Sequence, residues 1–444
     1  MEDNRNQDNS DFMKETIKQR PLNRRKLVRR TLLTAAMAVV FGMVACFTFL
    51  LLEPVISNKL YPEEEPQTVV LVEETEENEV LPEDMIVDES QMHPTPTPEP
   101  SPEPAVLADE QIAKFLSEIE IGSEDYIALF SNMKETAREA CKSVVTVVGV
   151  TSDVGWLVSE YESEGAVAGA VVADNGKELL ILANVSSIRE ADSLKVIFND
   201  GEEYQASIKK SDSNTGLAVI SVFKSSMKSS TLENTGTVVL GTSGSNLVGS
   251  PVVALGRPIG TEGSLCYGNI TSTGNPIRLP DSNYKYLTTD IYGSSNASGI
   301  LINLRGQVVG LIDMAYNSPD MENLISAIGI SDLKKLVESL SNDKEIAYFG
   351  VYGVDVTEEA NEELGVPLGA YITEIDMDSP AMDAGIQSGD VITQINETEV
   401  ANYQDLVKAL LSAQPESAIS IRLMRQGPEN YMEMETGAVL GKKP

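Results

Sequence analysis

The chain has 444 residues and a formal net charge of −35 at pH 7, which predicts two or three domains of ordinary size and excludes nucleic acid as an expected partner, because phosphate binding needs a basic surface. Cysteine is scarce, and no Cys/His cluster suggests a metal site or another cofactor. Cys46 lies in an apolar segment, whereas Cys141 and Cys266 either pair in an oxidising compartment or remain buried free thiols.

The N-terminus carries a basic tail at residues 1–30, followed by an uncharged apolar segment at residues 31–52. A segment of that length predicts a helix that crosses a lipid bilayer. Basic residues before it and acidic residues after it predict a single-pass protein of the cell membrane, with a cytoplasmic N-terminus and most of the chain extracytoplasmic. A cleaved signal peptide is the alternative interpretation, although no clear A-x-A cleavage site follows.

Residues 53–108 are acidic and proline-rich, which predicts an extended linker or stalk. It contains His93, the only histidine of the sequence. It also contains an apolar patch, Thr68 to Val72, which either binds something or is a passing hydrophobic stretch. Apolar residues then recur every three or four positions, so residues 109–142 predict a helical lead-in of two short helices.

Short apolar segments separated by Gly, Asn and Asp follow between residues 143 and 340, as is typical of β-barrels and sandwiches. The first six are Ser143–Val150, Gly165–Ala173, Leu179–Asn184, Leu194–Asn199, Tyr204–Lys210 and Leu217–Val222. The second six are Thr237–Gly241, Pro251–Gly256, Gly268–Thr273, Tyr284–Asp290, Ile300–Asn303 and Val308–Ile312. Two such sets predict two barrels, and Ile330 to Leu340 predicts a closing helix.

Residues 345–440 alternate between extended and helical patterns, which predicts a small α/β module. The strand-like segments are Tyr348–Val356, Gly369–Ile375, Asp390–Asn396 and Ala418–Gln426. The helix-like segments are Glu358–Leu364, Pro380–Ala384 and Asn402–Leu411.

Motifs across residues 143–440 resemble those of a known family. SPAMDAGIQSGDVITQIN (Ser379–Asn396) follows the pattern SPA-x-x-AG-(I/L)-x-x-GD-x-I-x-x-(I/V)-N, and YFGV (Tyr348–Val351) is similar to a Y-L-G-I loop. LLILAN, DSNTGLAVISV, VVALGRPIG and NLRGQVVGL add matches in the barrel region. Over about two-thirds of its length the chain therefore resembles the HtrA family. The resemblance implies a mainly β fold, with a double-barrel trypsin-like (chymotrypsin-fold) domain followed by an α/β PDZ domain.

The resemblance also implies a peptide-binding site. The backbone N–H groups of Phe349, Gly350 and Val351, with Tyr348 before them, would hold the terminal carboxylate of a peptide or protein C-terminus. An apolar pocket would take the last side chain. Glycine suits this turn because the backbone must approach the ligand closely. A plain edge strand is the alternative interpretation.

The catalytic triad positions that the resemblance implies carry other residues. Ser186 stands where the family has histidine, and Gly216 where it has aspartate. Ala297 holds the nucleophile position if the following hairpin sets the register, and Ser298 holds it if the preceding strand does. A serine protease needs a base to accept the hydroxyl proton and a carboxylate to orient that base.

These positions predict that the chain is not an enzyme but an inactive protease homologue. It would bind peptides through its PDZ domain in envelope protein quality control or signalling. An active serine endopeptidase with Ser298 as nucleophile, helped by Lys224 or Lys228, is the alternative. A structural envelope protein is a third interpretation. The family resemblance further implies a homo-oligomer, a trimer.

Overall fold

The computed structural model describes residues 32–44, 46–48, 66–71, 122–150, 165–428 and 430–443. They belong to two units, Met1–Glu65 and Pro66–Pro444. In the first unit, residues 32–44 and 46–48 are helical and exposed. Among the described residues, no helix combines the length and the apolarity that crossing a bilayer requires. The predicted span 31–52 extends beyond the described residues, and the basic tail and His93 lie outside them.

One helix, Ser123–Cys141, occupies the described part of the predicted helical lead-in. It begins after Gly122, whose N–H donates to Asp125 Oδ2 at 2.9 Å and so satisfies an amide that the helix itself leaves unpaired. Ala137 is fully buried against the barrel core. Residues 109–121, where the first of two helices was expected, lie outside the described residues.

The first barrel contains six antiparallel strands. They are β1 (Val144–Val150), β2 (Ala166–Asp174), β3 (Glu178–Asn184), β4 (Ser193–Ile197), β5 (Glu203–Ser211) and β6 (Leu217–Phe223), and they close in the order β1-β2-β3-β6-β5-β4. Side chains alternate between the two faces of a strand. In β3, Ile181 therefore packs inside this barrel, whereas Leu180 and Leu182 join a core shared with the second barrel.

The second barrel contains β7 (Val239–Leu240), β8 (Pro251–Arg257), β9 (Ser264–Ser272), β12 (Tyr286–Tyr292), β13 (Ser298–Ile302), β14 (Gln307–Ile312) and β15 (Leu324–Gly329). The order β13-β8-β9-β12-β15-β14 closes because β13 also pairs with β14, and β7 adds to β14 in parallel. A hairpin of β10 (Ile277–Leu279) and β11 (Ser282–Tyr284) stands apart from this ring. The predicted double-barrel fold is confirmed.

Two parts of the second barrel were absent from the sequence prediction. β15 runs without a turn into the helix Ile330–Ser341, and its small residues Ser326, Ala327 and Gly329 lack a β-branched pattern. The β10–β11 strands have only three residues each, too few for an alternating pattern to show. The helix itself was predicted, because its apolar residues at helical spacing, Leu333, Val337 and Leu340, are buried.

The C-terminal region is the predicted α/β module, a PDZ-like domain. Its strands are β16 (Ala347–Tyr348), β17 (Val351–Asp355), β18 (Ala370–Ile375), β19 (Val391–Ile395), β20 (Thr398–Glu399), β21 (Ala418–Gln426), β22 (Tyr431–Val439) and β23 (Gly441–Lys442). Its helices are Glu358–Leu364, Pro380–Asp383 and Tyr403–Ser412. The sheet order is β17-β18-β19-β21-β22, so β17 lies at an edge.

Residues 66–71, inside the predicted linker, lie on the trypsin-like domain. The Asn342 side chain accepts the Val69 N–H at 2.9 Å and donates to the Val69 carbonyl at 2.7 Å. The Leu71 N–H donates to Glu338 Oε2 at 3.2 Å, and both apolar side chains pack against the shared core. The described part of the apolar patch Thr68 to Val72 is therefore a binding segment whose partner is this same chain.

The three cysteines, Cys46, Cys141 and Cys266, are free thiols. Cys141 packs against the core shared by the barrels, whereas Cys266 lies beside a separate cluster inside the second barrel. Burial raises the pKa of both thiols, which keeps them protonated at neutral pH. No group of His, Cys, Asp and Glu suited to a metal ion occurs in the part of the chain that is described.

Candidate functional site

Ser186 and Gly216 are neighbours in the cleft of the trypsin-like domain. Strands β3 and β6 pair so that Asn184, the last residue of β3, lies opposite Leu217, the first residue of β6. Ser186, which follows β3, and Gly216, which precedes β6, therefore lie close together. Gly216 has a φ of 72°, and a Cβ there would collide with the Ser186 hydroxyl. Glycine is therefore required at 216 on two counts, the left-handed backbone and the space that Ser186 occupies.

Ala297 and Ser298 lie where the loop after β12 enters β13. The Ala297 N–H donates to the Ser294 carbonyl at 3.0 Å, which closes a turn at the end of the loop. Ser298 is the first strand residue, and its hydroxyl accepts the Ala168 N–H at 2.9 Å, which ties β13 to β2 of the first barrel. Both residues are buried. The geometry offers one hydroxyl, that of Ser298, at the point where the resemblance places a nucleophile.

The two lysines considered as partners of Ser298 are bound elsewhere. Lys224 Nζ lies 2.6 Å from Asp174 Oδ2, and Lys228 pairs with Glu202. The hydrogen bond that Lys228 donates to Glu202 raises the pKa of the lysine. A lysine that serves as a general base needs a lowered pKa, so this environment shifts Lys228 in the opposite direction.

A partly buried amide–carboxyl pair next to Ser186 joins the two barrels. Asn184 Nδ2 donates to Asp313 Oδ2 at 2.8 Å, and the Ala315 N–H donates to Asp313 Oδ1 at 2.9 Å. Burial raises the pKa of Asp313, although both hydrogen bonds act in the opposite sense. In the sequence, Asn184 stands out only as the last residue of the LLILAN motif, and no pattern indicates a role for Asp313, which directly follows β14.

A second buried carboxylate connects the trypsin-like domain to the C-terminal end of the PDZ domain. Asp212 Oδ2 accepts the Thr215 N–H at 3.0 Å and the Thr215 hydroxyl at 2.6 Å. Its other oxygen, Oδ1, forms an ion pair with Lys443 Nζ at 3.0 Å without hydrogen-bond geometry. Both side chains are almost completely buried. Asp212 of the DSNTG motif thus forms a contact between the two domains, which the resemblance of this motif to the HtrA family did not indicate.

The YFGV loop lies between β16 and β17, and its backbone forms a nest of N–H groups. Gly350 has a φ of 88°, and a Cβ there would collide with the Ser379 side chain. The N–H groups of Phe349, Gly350 and Val351 converge on one point, as anion-binding nests do. Tyr348 directly precedes the nest, and its hydroxyl donates to Asp376 Oδ2 at 2.8 Å.

A carboxylate from the trypsin-like domain occupies this nest. Asp281 Oδ2 accepts the N–H groups of Phe349 and Gly350 at 2.7 and 2.9 Å. Its Oδ1 accepts those of Gly350 and Val351 at 2.9 and 3.0 Å. Burial raises the pKa of Asp281, and these backbone hydrogen bonds oppose the rise. Four short contacts show that the loop has the geometry of a carboxylate-binding site.

Asp281 is the turn residue of the β10–β11 hairpin, with a φ of 58°. Its own N–H donates to the Val351 carbonyl at 2.8 Å, and Asn283 Nδ2 donates to the Gly353 carbonyl at 2.9 Å. The hairpin therefore lies along the exposed edge of β17. Sequence reasoning missed Asp281, because a Pro-Asp turn indicates only a turn and says nothing about a partner 70 residues away.

Two family models match the chain. A trypsin-like peptidase domain matches residues 167–311, and a PDZ domain matches residues 350–436. The first covers the double barrel from β2 to β14, and the second begins at Gly350 in the carboxylate-binding loop.

Curated relatives match more than half of the chain. A probable periplasmic serine endoprotease DegP-like of Halomonas elongata is 27% identical, covering 61% of this chain and 56% of the relative. Its namesake in Rhizobium meliloti is 30% identical, covering 61% and 53%. A serine protease Do-like HtrA of Lactococcus lactis is 25% identical, covering 62% and 71%. The chain thus spans little more than half the length of the two DegP-like relatives.

Solved structures share the fold. The HtrA-type protease AlgW with a decapeptide superposes with a TM-score of 0.50 and 22% identity, covering 70% of this chain and 99% of that one. AlgW with a tripeptide gives a TM-score of 0.51 and 21% identity, covering 70% and 97%. At this identity the likeness concerns the fold.

The names of the relatives contradict the prediction that the chain is not an enzyme, since the matched proteins are named serine endoproteases or serine proteases. The prediction relied on three positions of a family pattern, Ser186, Gly216 and Ala297. It gave too little weight to the similarity of the whole double barrel and to the Ser298 hydroxyl, which lies next to the third position.

Proposed function

Since the chain belongs to the HtrA family, we propose that its PDZ domain binds peptides or protein C-termini at the YFGV loop. The observation that carries this proposal is the nest itself, in which three backbone N–H groups hold a carboxylate at 2.7–3.0 Å. The terminal carboxylate of a peptide has the same chemistry as the one bound there. Capture of C-termini in such nests is an established mode of peptide recognition.

The edge of β17 supports the same proposal. Val351 and Gly353 direct their carbonyls away from the sheet, where each accepts one hydrogen bond from the hairpin. An extended peptide that adds as a further strand would use these two carbonyls. The helix Tyr403–Ser412 lies beside this edge, and the Tyr403 hydroxyl donates to the Val351 carbonyl at 2.9 Å. A peptide would therefore enter between β17 and this helix.

The proposed setting is extracytoplasmic, with residues 31–52 as a membrane anchor in the lipid bilayer. The relatives are named periplasmic, which supports an extracytoplasmic location for the two domains. A role in envelope protein quality control or signalling, and a trimeric assembly, extend the family resemblance. Alkaline extraction of membranes tests the anchor: the chain stays in the pellet if residues 31–52 span the bilayer, and its release contradicts the anchor.

Binding of free C-termini is tested with the full chain and a pool of fluorescein-labelled decapeptides ending in Ala, Val, Leu, Ile or Phe. We expect saturable binding of at least one peptide, measured by fluorescence anisotropy. The same peptide with a C-terminal amide should bind at least about tenfold more weakly, because the nest recognises a charged carboxylate. Absence of saturable binding across the pool, both in the wild type and after removal of the Asp281 carboxylate that occupies the nest, contradicts the proposal when circular dichroism shows an intact fold.

A second candidate function, serine endopeptidase activity with Ser298 as the nucleophile, is supported by the names of the relatives. Its hydroxyl accepts the Ala168 N–H, so its own proton is not committed to that contact. Labelling of the full chain with a fluorophosphonate probe, together with casein hydrolysis, tests this role. Labelling that is lost in Ser298→Ala supports Ser298. Labelling that persists in the variant assigns the activity to another serine.

A further inference from the structure

We propose that the β10–β11 hairpin is an internal ligand of the PDZ domain, in which the Asp281 carboxylate occupies the place of a peptide's terminal carboxylate. An incoming C-terminus must then displace Asp281 to bind. This inference rests on the proposed function of the YFGV loop and adds the regulation of that same site.

The first support is the completeness of the carboxylate contacts. Both oxygens of Asp281 are bound, and all three N–H groups of the nest are used. Only 5% of Asp281 remains exposed. A second carboxylate has no room or free donor in the nest while Asp281 is present, so binding of the two is mutually exclusive.

The second support is the main-chain contact. A strand-adding ligand binds the edge of the receiving sheet through backbone hydrogen bonds. The Asp281 N–H donates to the Val351 carbonyl, and the Asn283 side-chain amide donates to the Gly353 carbonyl two residues further along. The hairpin thus places a carboxylate in the nest and hydrogen-bond donors at the β17 edge. These are the two kinds of contact by which a C-terminal peptide would bind.

The third support is the way in which the hairpin is attached. At its base, Ile277 and Tyr284 are buried in the core that both barrels share. The Lys285 N–H donates to Asp332 Oδ2 at 2.7 Å, which fixes the chain just after β11. Leu279, near the turn, packs partly against the same core, and the tip contacts the PDZ domain through Asp281 and Asn283. Displacement therefore requires movement of the tip, while the base stays in the barrel core.

An internal competitor lowers the apparent affinity for a peptide by the fraction of time during which the nest is free. Removing the Asp281 carboxylate should therefore tighten peptide binding by at least about tenfold. Asp281→Gly is the appropriate variant, because glycine adopts the left-handed conformation of this turn without strain. Asp281→Asn keeps an oxygen acceptor but removes the charge, so its effect should be intermediate.

The experiment uses the full chain, wild type and the two Asp281 variants, with the decapeptide pool described above. Arg278→Ala is the matched control, since this exposed residue lies in the same hairpin but is not the carboxylate that the nest binds. A readout without peptide is hydrogen exchange at the amides of residues 349–351. In Asp281→Gly, the hydrogens of these amides should exchange with solvent faster than in the wild type, because their hydrogen-bond acceptor is lost. Circular dichroism verifies that each variant is folded.

Tighter binding by Asp281→Gly and faster amide exchange, with Arg278→Ala like the wild type, supports the internal ligand. Equal, saturable binding by wild type and both Asp281 variants overturns the internal ligand but leaves the proposed function standing. Amide exchange that Asp281→Gly leaves unchanged also overturns it. Faster exchange without binding of any free-acid peptide by any variant overturns the proposed function, and with it the competition inferred here.

Discussion

The barrel cleft and the carboxylate-binding loop are both recognisable by position, but the chemical groups that form the site differ between them. In the cleft, the chemistry depends on side chains, and the positions of interest carry Ser186, Gly216 and either Ala297 or Ser298. In the loop, the binding groups are the backbone N–H donors of residues 349–351. Any residue that permits the backbone path preserves such a site, whereas a side-chain site changes with one substitution.

The difference also appears in how each site is filled. In the cleft, Ser186 takes the space beside Gly216 that a larger side chain would need. In the loop, the space is filled by Asp281, a residue from another domain that reproduces the chemistry of a ligand. The cleft positions carry small side chains, whereas the loop places three backbone donors around a carboxylate that comes from another domain.

The largest expected effect concerns the backbone path of the loop. Gly350→Ala places a Cβ at a left-handed φ of 88° and against Ser379. We expect a loss of roughly 3 kcal/mol in the free energy of unfolding of the PDZ domain, from strain plus overpacking. Urea unfolding followed by circular dichroism measures it, and peptide binding should be lost as well.

Gly365→Ala is the matched control for this variant. Gly365 ends the helix Glu358–Leu364 with a φ of 66°, and a Cβ there would contact nothing within 4 Å. It should cost only about 1 kcal/mol from backbone strain. Equal losses for the two variants would show that the contact with Ser379 is not what shapes the nest.

The next largest effect tests the cleft. Gly216→Ala should destabilise the trypsin-like domain by about 2 kcal/mol, because the added Cβ collides with the Ser186 hydroxyl. Ser186→Ala removes that hydroxyl, so the double variant should recover about 1 kcal/mol of the loss. Gly201→Ala, at a φ of 79° with open space around it, reports the backbone strain alone. If the stability changes of Gly216→Ala and Ser186→Ala simply add in the double variant, this description of the cleft is contradicted.

A smaller effect is expected at the carbonyl of the loop. Tyr403→Phe removes the buried hydroxyl that donates to the Val351 carbonyl at 2.9 Å. The loss should be about 1 kcal/mol, since the carbonyl keeps the hydrogen bond from Asp281. Tyr292→Phe, whose side chain is 72% exposed, is the control and should be neutral. A neutral Tyr403→Phe would show that the helix does not brace the loop through this contact.

The smallest effect is a pH dependence in the cleft. Burial raises the pKa of Asp313 in the folded chain, so the folded state holds its proton more tightly than the unfolded state. Its contribution to stability is fully present below the unfolded pKa and is lost as the pH rises through the folded pKa. The stability of the wild type relative to Asp313→Asn should therefore fall between acid and neutral pH. A difference that rises with pH contradicts this sign.

Much of the fold follows from local patterns. The strands of the two barrels were predicted because apolar runs of four to nine residues are bounded by turn residues, and the PDZ region was predicted from a motif of consecutive residues. The positions of Ser186 and Gly216 followed from ILAN and DSNTG in the same way. These signals are all contained within short windows of the chain.

The contacts that define the sites were not predictable in this way. The pairs Asp281–Gly350, Asn184–Asp313 and Val69–Asn342 join residues 69, 129 and 273 positions apart. Each depends on isolated polar side chains, and isolated polar residues have no periodicity that would reveal their partners. Only the assembled domains bring these groups together.

The contact of residues 66–71 with the trypsin-like domain has a consequence for protein production. A recombinant fragment that begins at the helical lead-in, residue 109, would lack Val69 and Leu71. The Asn342 side chain would lose two hydrogen bonds, and the apolar surface beneath these residues would become exposed to water. A fragment that begins before Pro66 retains this contact and is the better choice for crystallisation.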